Sequence, residues 1–148
     1  MRVALAADHA GVSLKREIRR LLDERGIDYK DFGTNAADAV DYPDFAAAAA
    51  AEIGHGRFDF GILVCGSGVG MAIAANKCPG IRAAAVTDER AARLSREHND
   101  ANVLALGERL TPPEQARQIV NTFLDTPFSG GRHQRRVDKI AALERQSA

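Results

Sequence analysis

A cysteine followed by a glycine-rich turn is the residue of this sequence best placed to do chemistry. Cys65 ends an apolar run and precedes Gly66, Ser67, Gly68, Val69 and Gly70, after which the pattern becomes helical. Backbone N–H groups at the start of such a helix attract anions and favour a thiolate. Cys65 could therefore act as a base or a nucleophile. The motif leaves open a phosphate-binding turn whose cysteine is only a small buried apolar residue.

Two histidine segments offer further candidates. Asp8 and His9 follow the first apolar run and could supply a carboxylate that polarises a hydroxyl and an imidazole that meets phosphate. Asp8 could equally cap a helix that begins near Gly11. His98 closes a helical pattern, where the helix dipole favours a histidinium. Taken alone, His98 is better explained as a helix-end residue than as a catalyst.

Three arginines and one tyrosine are candidates for ligand binding. Arg132 and Arg136 are four residues apart, on one face of a predicted helix, where two guanidinium groups can hold one phosphate. A solvated basic surface is the alternative for this pair. Arg109 follows the last predicted strand and is a weaker phosphate candidate. Tyr42 stands before Pro43 and could line the site or pack the loop.

The composition restricts the classes of protein to which the chain could belong. Its 148 residues are 45% hydrophobic, which suits one domain over 1–148. Twenty basic and twenty acidic residues balance, so we expect neither a nucleic-acid partner nor a membrane partner. No signal peptide or long apolar stretch is visible, which predicts a cytoplasmic protein. Cys65, Cys78 and four scattered histidines form no zinc-like pattern, so we expect reduced thiols and no metal.

Apolar runs alternate with amphipathic stretches along the chain. Strands are predicted over 3–7, 27–32, 60–64, 81–86 and 103–106. The first helix carries Leu14, Ile18, Leu21 and Leu22 on one face and ends at Gly26, and helices follow near 44–55, 69–77, 88–97, 112–125 and 132–145. Five βα units predict an α/β fold, a three-layer Rossmann-like sandwich around a five-stranded parallel sheet.

Ligands of such sheets bind beyond the carboxyl ends of the strands. Four segments with reactive side chains follow strands there, at 8–9, 65–67, 87–88 and 107–109. The glycine spacing after Cys65 is GxGxG, not the GxGxxG of dinucleotide sites, and no Walker A motif is present. The sequence therefore favours a small phosphorylated ligand over a nucleotide.

Seven motifs together closely resemble the ribose-5-phosphate isomerase B family, in its order and spacing and over nearly the whole chain. They are Asp8-His9-Ala10-Gly11, Asp41-Tyr42-Pro43, Cys65-Gly66-Ser67-Gly68-Val69-Gly70, Ala74-Ala75-Asn76-Lys77, Gly80-Ile81-Arg82-Ala83, His98-Asn99-Asp100-Ala101-Asn102-Val103 and Gly130-Gly131-Arg132-His133. The resemblance implies interconversion of ribose 5-phosphate and ribulose 5-phosphate in the non-oxidative pentose phosphate pathway, without metal or organic cofactor.

The resemblance also assigns roles to residues. It makes Cys65 the base that moves a proton between C1 and C2, His98 the group that helps open the sugar ring, and Asp8 an assistant at the hydroxyls. Ser67 would bind the reacting oxygens, and the N–H groups of residues 66–70 would stabilise the enediolate oxygen. The phosphate positions match His9, Arg109, Arg132 and Arg136, and a sugar-hydroxyl position matches Asn99.

The family builds its site between two subunits, with the His98-Asn99 segment reaching into the partner's pocket. We therefore expect a homodimer or tetramer with helix 132–145 in the dimer interface. Relatives without the cysteine use a carboxylate where this chain has Met71, so the chain resembles the cysteine subgroup. An isomerase of allose 6-phosphate or galactose 6-phosphate, or a non-catalytic sugar-phosphate sensor, stays an alternative.

Overall fold

The apolar runs form strands and the amphipathic stretches form helices, in the predicted order. The computed structural model describes residues 1–147. The strands are β1 (Arg2–Ala7), β2 (Asp28–Asp31), β3 (Phe60–Cys65), β4 (Ala83–Ala85) and β5 (Val103–Gly107). The α-helices are α1 (Val12–Glu24), α2 (Tyr42–Gly54), α3 (Val69–Ala75), α4 (Glu89–Asn99), α5 (Pro113–Asp125) and α6 (Arg132–Ser147). A 3₁₀ turn, His9–Gly11, connects β1 to α1.

The five strands form one parallel sheet in the order β2-β1-β3-β5-β4. The three central strands are buried along nearly their whole length, as expected of apolar strands covered on both faces. Ala7 pairs with Val64, and Cys65 pairs with Gly107. The carboxyl ends of β1, β3 and β5 thus lie side by side, and the predicted parallel sheet is confirmed.

Helices cover both faces of the sheet and complete the predicted three layers. One face packs against α1, α4 and α5, whose core side chains include Ile18, Ala92 and Phe123. The other face packs against α2 and α3, through Ala49 and Met71 among others. The alanine-rich segment predicted as a helix is α2, which begins at Tyr42 because Pro43 is tolerated in a first turn.

The edge strands are shorter than predicted. The strand expected over 81–86 pairs only at Ala83–Ala85, and the strand expected over 27–32 is Asp28–Asp31. Side-chain amides bind the backbone around β4: Asn76 bonds both the N–H and the carbonyl of Ala83, and Asn102 Oδ1 accepts the Arg82 N–H at 2.8 Å. These side-chain contacts fix the backbone of Arg82 and Ala83 at the start of the short strand.

Helix α6 confirms the predicted final basic helix and leaves apolar side chains exposed. Val137 is buried, whereas Ile140 and Leu143 are 41% and 61% exposed. The Glu144 carboxylate accepts the Gly80 N–H at 3.0 Å. A cavity of about 780 Å³ lies between this helix and residues 76–84. Among the described residues, no helix combines the length and apolar character needed to cross a membrane.

Candidate active site

The crevice beyond β1 and β3 is the topological switch point of the sheet. From β1 the chain passes to β2 on one side, and it then returns to form β3 on the other side of β1. Parallel sheets bind ligands at such a point, beyond the carboxyl ends of the strands. Asp8 follows β1 there, and its N–H donates to the Val64 carbonyl at 3.2 Å. Cys65 is the last residue of β3.

The glycine-rich turn folds back so that its own backbone donates to the cysteine. The Gly68 N–H donates to Cys65 Sγ at 3.1 Å, and the Cys65 side chain is buried. Gly68 has a φ of 80°, and a Cβ there would stand 2.9 Å from the Leu106 backbone, so this position requires glycine. The turn therefore fixes the position of the Cys65 sulfur with a backbone donor.

Two of the five amides expected to face an enediolate oxygen already have partners inside the turn. The Gly68 N–H binds Cys65, and the Val69 N–H donates to Ser67 Oγ at 3.3 Å. The oxygen of Ser67 is thereby an acceptor, which leaves its O–H free to donate to a ligand. The amides of the glycine-rich turn thus donate to the sulfur and to the serine hydroxyl as well as to any bound oxyanion.

Asp8 and His9 follow β1 directly, and neighbouring backbone groups bind the side chain of each. Asp8 is buried, and its Oδ1 accepts the Ala10 N–H at 3.0 Å, so it does cap a turn, the 3₁₀ turn before α1. His9 Nδ1 accepts the Val40 N–H at 3.1 Å. A neutral imidazole that accepts at Nδ1 carries its proton at Nε2. The contact with Val40 therefore makes Nε2 the donor of the His9 ring.

Tyr42 and Arg109 pack directly on the glycine-rich turn. A Cβ added to Gly70 would lie 2.6 Å from the Tyr42 ring, and one added to Gly66 would lie 3.1 Å from Arg109 Nη1. The Arg109 N–H also donates to the Gly66 carbonyl at 3.1 Å. We call the group formed by Asp8, His9, Tyr42, residues 65–70 and Arg109 the Cys65 cluster.

The remaining predicted site residues form a second group at the end of α4 and the start of α6. The rings of His98 and His133 stack with centroids 4.3 Å apart and planes 13° apart. Desolvation lowers the pKa of His133, as do the nearby positive charges of His98, Arg132 and Arg136, while Glu97 opposes them. We call His98, Asn99, Arg132, His133 and Arg136 the His98 cluster.

One chain does not bring these two clusters together. His98 and Asn99 end α4, before β5 begins at Val103, whereas Cys65 pairs with Gly107 at the far end of β5. The four residue steps along β5 span about 13 Å. A general acid or base must lie within about 3 Å of the atom it serves. The clusters therefore lie at opposite ends of the strands and cannot share reacting atoms within one chain.

Two acidic side chains that follow strands accept hydrogen bonds from backbone N–H groups at the starts of helices. Asp88, which follows β4, caps α4 by accepting the Ala91 N–H at 2.7 Å. Glu108, which follows β5, accepts the Leu14 N–H at the start of α1 at 2.6 Å. These two carboxylates fix the starts of α4 and α1. In the described part of the chain, no three His, Cys, Asp or Glu side chains are grouped to hold a metal ion.

The sequence interpretation missed the residues that fix the position of the His98 cluster. Arg96 is buried and donates to Asp100 Oδ1, the Ala101 carbonyl and the Thr126 carbonyl at 2.8, 2.7 and 3.1 Å. The Ser129 N–H donates to the Glu97 carbonyl at 3.1 Å. These bonds tie the last turn of α4 to the segment that leads into α6. The only sequence signal was an arginine two residues before His98.

Comparison with known proteins identifies close relatives of the whole chain. Residues 3–140 match the Ribose/Galactose Isomerase family. The ribose-5-phosphate isomerase B of Escherichia coli is 46% identical over 98% of this chain and 97% of its own. The ribose-5-phosphate isomerase B structure of Clostridium thermocellum superposes with a TM-score of 0.98 at 50% identity, covering 100% of both chains. The Mycoplasma genitalium enzyme, solved with bound ribulose-5-phosphate, gives 0.95 at 44% identity over 98% and 97% of the two chains.

Proposed function

Because this chain belongs to the Ribose/Galactose Isomerase family, we propose that it interconverts D-ribose 5-phosphate and D-ribulose 5-phosphate through an enediolate intermediate. The observation that carries the proposal is the thiol of Cys65, held at the switch point by the Gly68 N–H. A buried base with an amide donor on its sulfur suits transfer of a carbon-bound proton. The identity of the substrate is inferred from the relatives named above.

In the proposed reaction the thiolate of Cys65 removes the proton from C2 of the open-chain aldose and returns a proton to C1. The electron pair released at C2 forms a C1–C2 double bond and displaces the carbonyl π pair onto O1, which gives the enediolate. Protonation of C1, together with transfer of the hydroxyl proton from O2 to O1, then gives the ketose. The Ser67 hydroxyl and the amides of the turn that are not already bonded would stabilise the developing negative charge. Asp8 would hold the substrate hydroxyls from the end of β1.

The phosphate ligands divide between the two clusters. His9 and Arg109 belong to the Cys65 cluster, while Arg132 and Arg136 are exposed in the first turns of α6. A substrate held by all four would therefore lie between two chains. His98 would promote opening of the sugar ring and Asn99 would bind a hydroxyl, both from the second copy. The site thus requires at least a homodimer.

Exposed apolar side chains support a dimer. Val69 and Ile73 on α3 are 50% and 59% exposed, and Ile140 and Leu143 on α6 are exposed beside the 780 Å³ cavity. Clustered exposed apolar side chains mark association surfaces in soluble proteins. We assign α6 to the dimer interface for this reason. We also propose a cytoplasmic location and a place in the non-oxidative pentose phosphate pathway, which the proposed substrate favours.

The test is the initial rate of ketose formation from ribose 5-phosphate and from allose 6-phosphate, each measured with excess chelator. The proposal predicts a higher kcat/KM for the pentose phosphate and no effect of the chelator. A preference for allose 6-phosphate would move the protein to the hexose phosphate isomerases. Binding of ribose 5-phosphate without turnover of either sugar would indicate a sensor.

A further inference from the structure

Lys15 is a buried charged residue to which the proposed reaction assigns no task. It lies on α1, three residues before Ile18 and seven before Leu22, and therefore on the apolar face of the helix. Its side chain is 1% exposed. Burial of an ammonium group is costly unless the group is paired and hydrogen-bonded. A lysine at this position therefore needs a set of partners built around it.

The structure supplies three oxygen acceptors for the three N–H donors of the ammonium group. Lys15 Nζ donates to Asp31 Oδ1 at 2.7 Å, to the Thr34 carbonyl at 2.6 Å and to Asn35 Oδ1 at 2.9 Å. Burial lowers the pKa of Lys15, and its hydrogen bond to Asp31 opposes that effect. All three acceptors belong to the end of β2 or to the start of the connection that follows it.

That connection, residues 32–41, leads from β2 to the Cys65 cluster. Its first part is fastened to the end of β1: the Ala7 N–H donates to the Gly33 carbonyl and the Thr34 N–H donates to the Ala7 carbonyl, both at 2.7 Å. Its last part holds His9, through the bond from the Val40 N–H to Nδ1. Residues 35–39 between these points are exposed. The connection therefore joins the segment that Lys15 binds to the residue that binds His9.

We propose that Lys15 is a positioning residue, which anchors the connection 32–41 so that Val40 keeps the His9 ring directed at the substrate phosphate. Lys15 touches no substrate in this account and acts through His9. The inference rests on the proposed phosphate role of His9. Loss of the anchor leaves His9 free to rotate or to change tautomer, which weakens one hydrogen bond to the charged phosphate. Such a bond is worth roughly tenfold in affinity.

The test is a double-mutant cycle between Lys15 and His9. Lys15→Met alone leaves Asp31 without its main cation, so it is combined with Asp31→Asn, whose Oδ1 can still accept the Gly33 N–H. We expect the Lys15→Met/Asp31→Asn variant to raise KM for ribose 5-phosphate about tenfold and to change kcat less than threefold. The inhibition constant of inorganic phosphate should rise by the same factor. In a His9→Ala background the Lys15→Met/Asp31→Asn change should raise KM no further.

Arg117→Met is the matched control, because Arg117 makes ion pairs from α5 to Glu17 and Glu24 of the same helix α1. It should lower thermal stability without altering KM. An unchanged KM in Lys15→Met/Asp31→Asn, a full additional rise in the His9→Ala background, or a normal KM in His9→Ala itself would each overturn the inference. Failure of the proposed function is recognised separately, as absence of turnover in the wild-type protein.

Discussion

At the scale of single residues, the proposed reaction depends on the cysteine at the end of β3. Cys65 Sγ accepts a hydrogen bond from the Gly68 N–H, whereas Cys78 lies half-buried after α3 and belongs to neither cluster. The chain thus contains two free cysteines in different surroundings. Cys65 is the proposed base, and Cys78 provides a comparison within the same protein.

Cys65→Ala should abolish proton transfer while leaving the phosphate ligands in place. A positioned general base contributes about 10² to 10⁴ in rate, so kcat should fall at least a hundredfold with little change in KM. Steady-state kinetics on ribose 5-phosphate measure both constants. Cys78→Ala is the control and should retain the wild-type kcat. Substantial residual turnover in Cys65→Ala would reject Cys65 as the base.

The stacked histidines should make stability depend on pH. Desolvation and the positive charges of His98, Arg132 and Arg136 place the folded pKa of His133 below its usual value near 6.5. Below that value the unfolded chain therefore binds a proton more readily than the folded chain does. The contribution of neutral His133 to stability is complete above about pH 6.5 and is lost as the pH falls through the window below it.

Thermal unfolding of the wild type and of His133→Gln at pH 7.5 and pH 5.5 measures this dependence. Acidification should lower Tm more in the wild type than in the variant, because the variant lacks the group whose protonation opposes folding. Titrating groups that do not interact with His133 are common to both proteins and cancel in the comparison. Equal losses of Tm would show that His133 does not change its proton affinity on folding.

At the scale of elements, close contact between β5 and the glycine-rich turn positions the proposed catalytic groups. A Cβ added to Gly107 would stand 2.5 Å from the backbone carbon of Ser67, and one added to Gly11 would stand 2.6 Å from the Val64 carbonyl. Both neighbours are backbone atoms, which cannot swing aside. Glycine at these two positions allows the three chain segments to meet around Cys65.

Gly107→Ala should therefore displace the turn that carries Ser67. Overpacking of this kind costs about 1–3 kcal/mol of stability, and the displaced hydroxyl should lower kcat as well. Denaturant unfolding and steady-state kinetics measure the two effects. Gly70→Ala is the comparison, because its Cβ would meet the Tyr42 ring, which is 39% exposed and can move. A Gly107→Ala variant as stable and active as Gly70→Ala would contradict the packing argument.

The elements were largely predictable from the sequence, since buried strands and amphipathic helices leave clear periodic patterns. The rim of strand ends at Asp8, Cys65 and Arg109 was predictable for the same reason. The sequence did not predict the strand order, or that Asp88 would cap a helix. It also missed the burial of Lys15, because that burial depends on Asp31 and Thr34, which reach the lysine only after β1 and β2 pair. Such contacts arise from tertiary packing and leave no local pattern.

At the scale of the whole molecule, one chain holds the two clusters at opposite ends of the strands of its sheet. The Cys65 cluster lies beyond the carboxyl ends of β1, β3 and β5, and the His98 cluster lies at the start of β5. The resemblance to the isomerase family implied that His98 and Asn99 act on a partner's pocket. The separation along β5 gives a physical reason for that arrangement. Two chains are therefore the proposed catalytic unit.

The most direct test of this claim is the activity of a purified mixed dimer, isolated through two different affinity tags. One chain carries Cys65→Ala, and the other carries Arg132→Ala and Arg136→Ala, which remove the phosphate contacts of the His98 cluster. Each homodimer should show little turnover of ribose 5-phosphate at low substrate concentration. The mixed dimer contains one site built wholly from unaltered halves, so its kcat/KM should be about half that of the wild type. Activity no greater than that of the two altered homodimers, or full activity in a monomeric wild-type chain, would contradict the account.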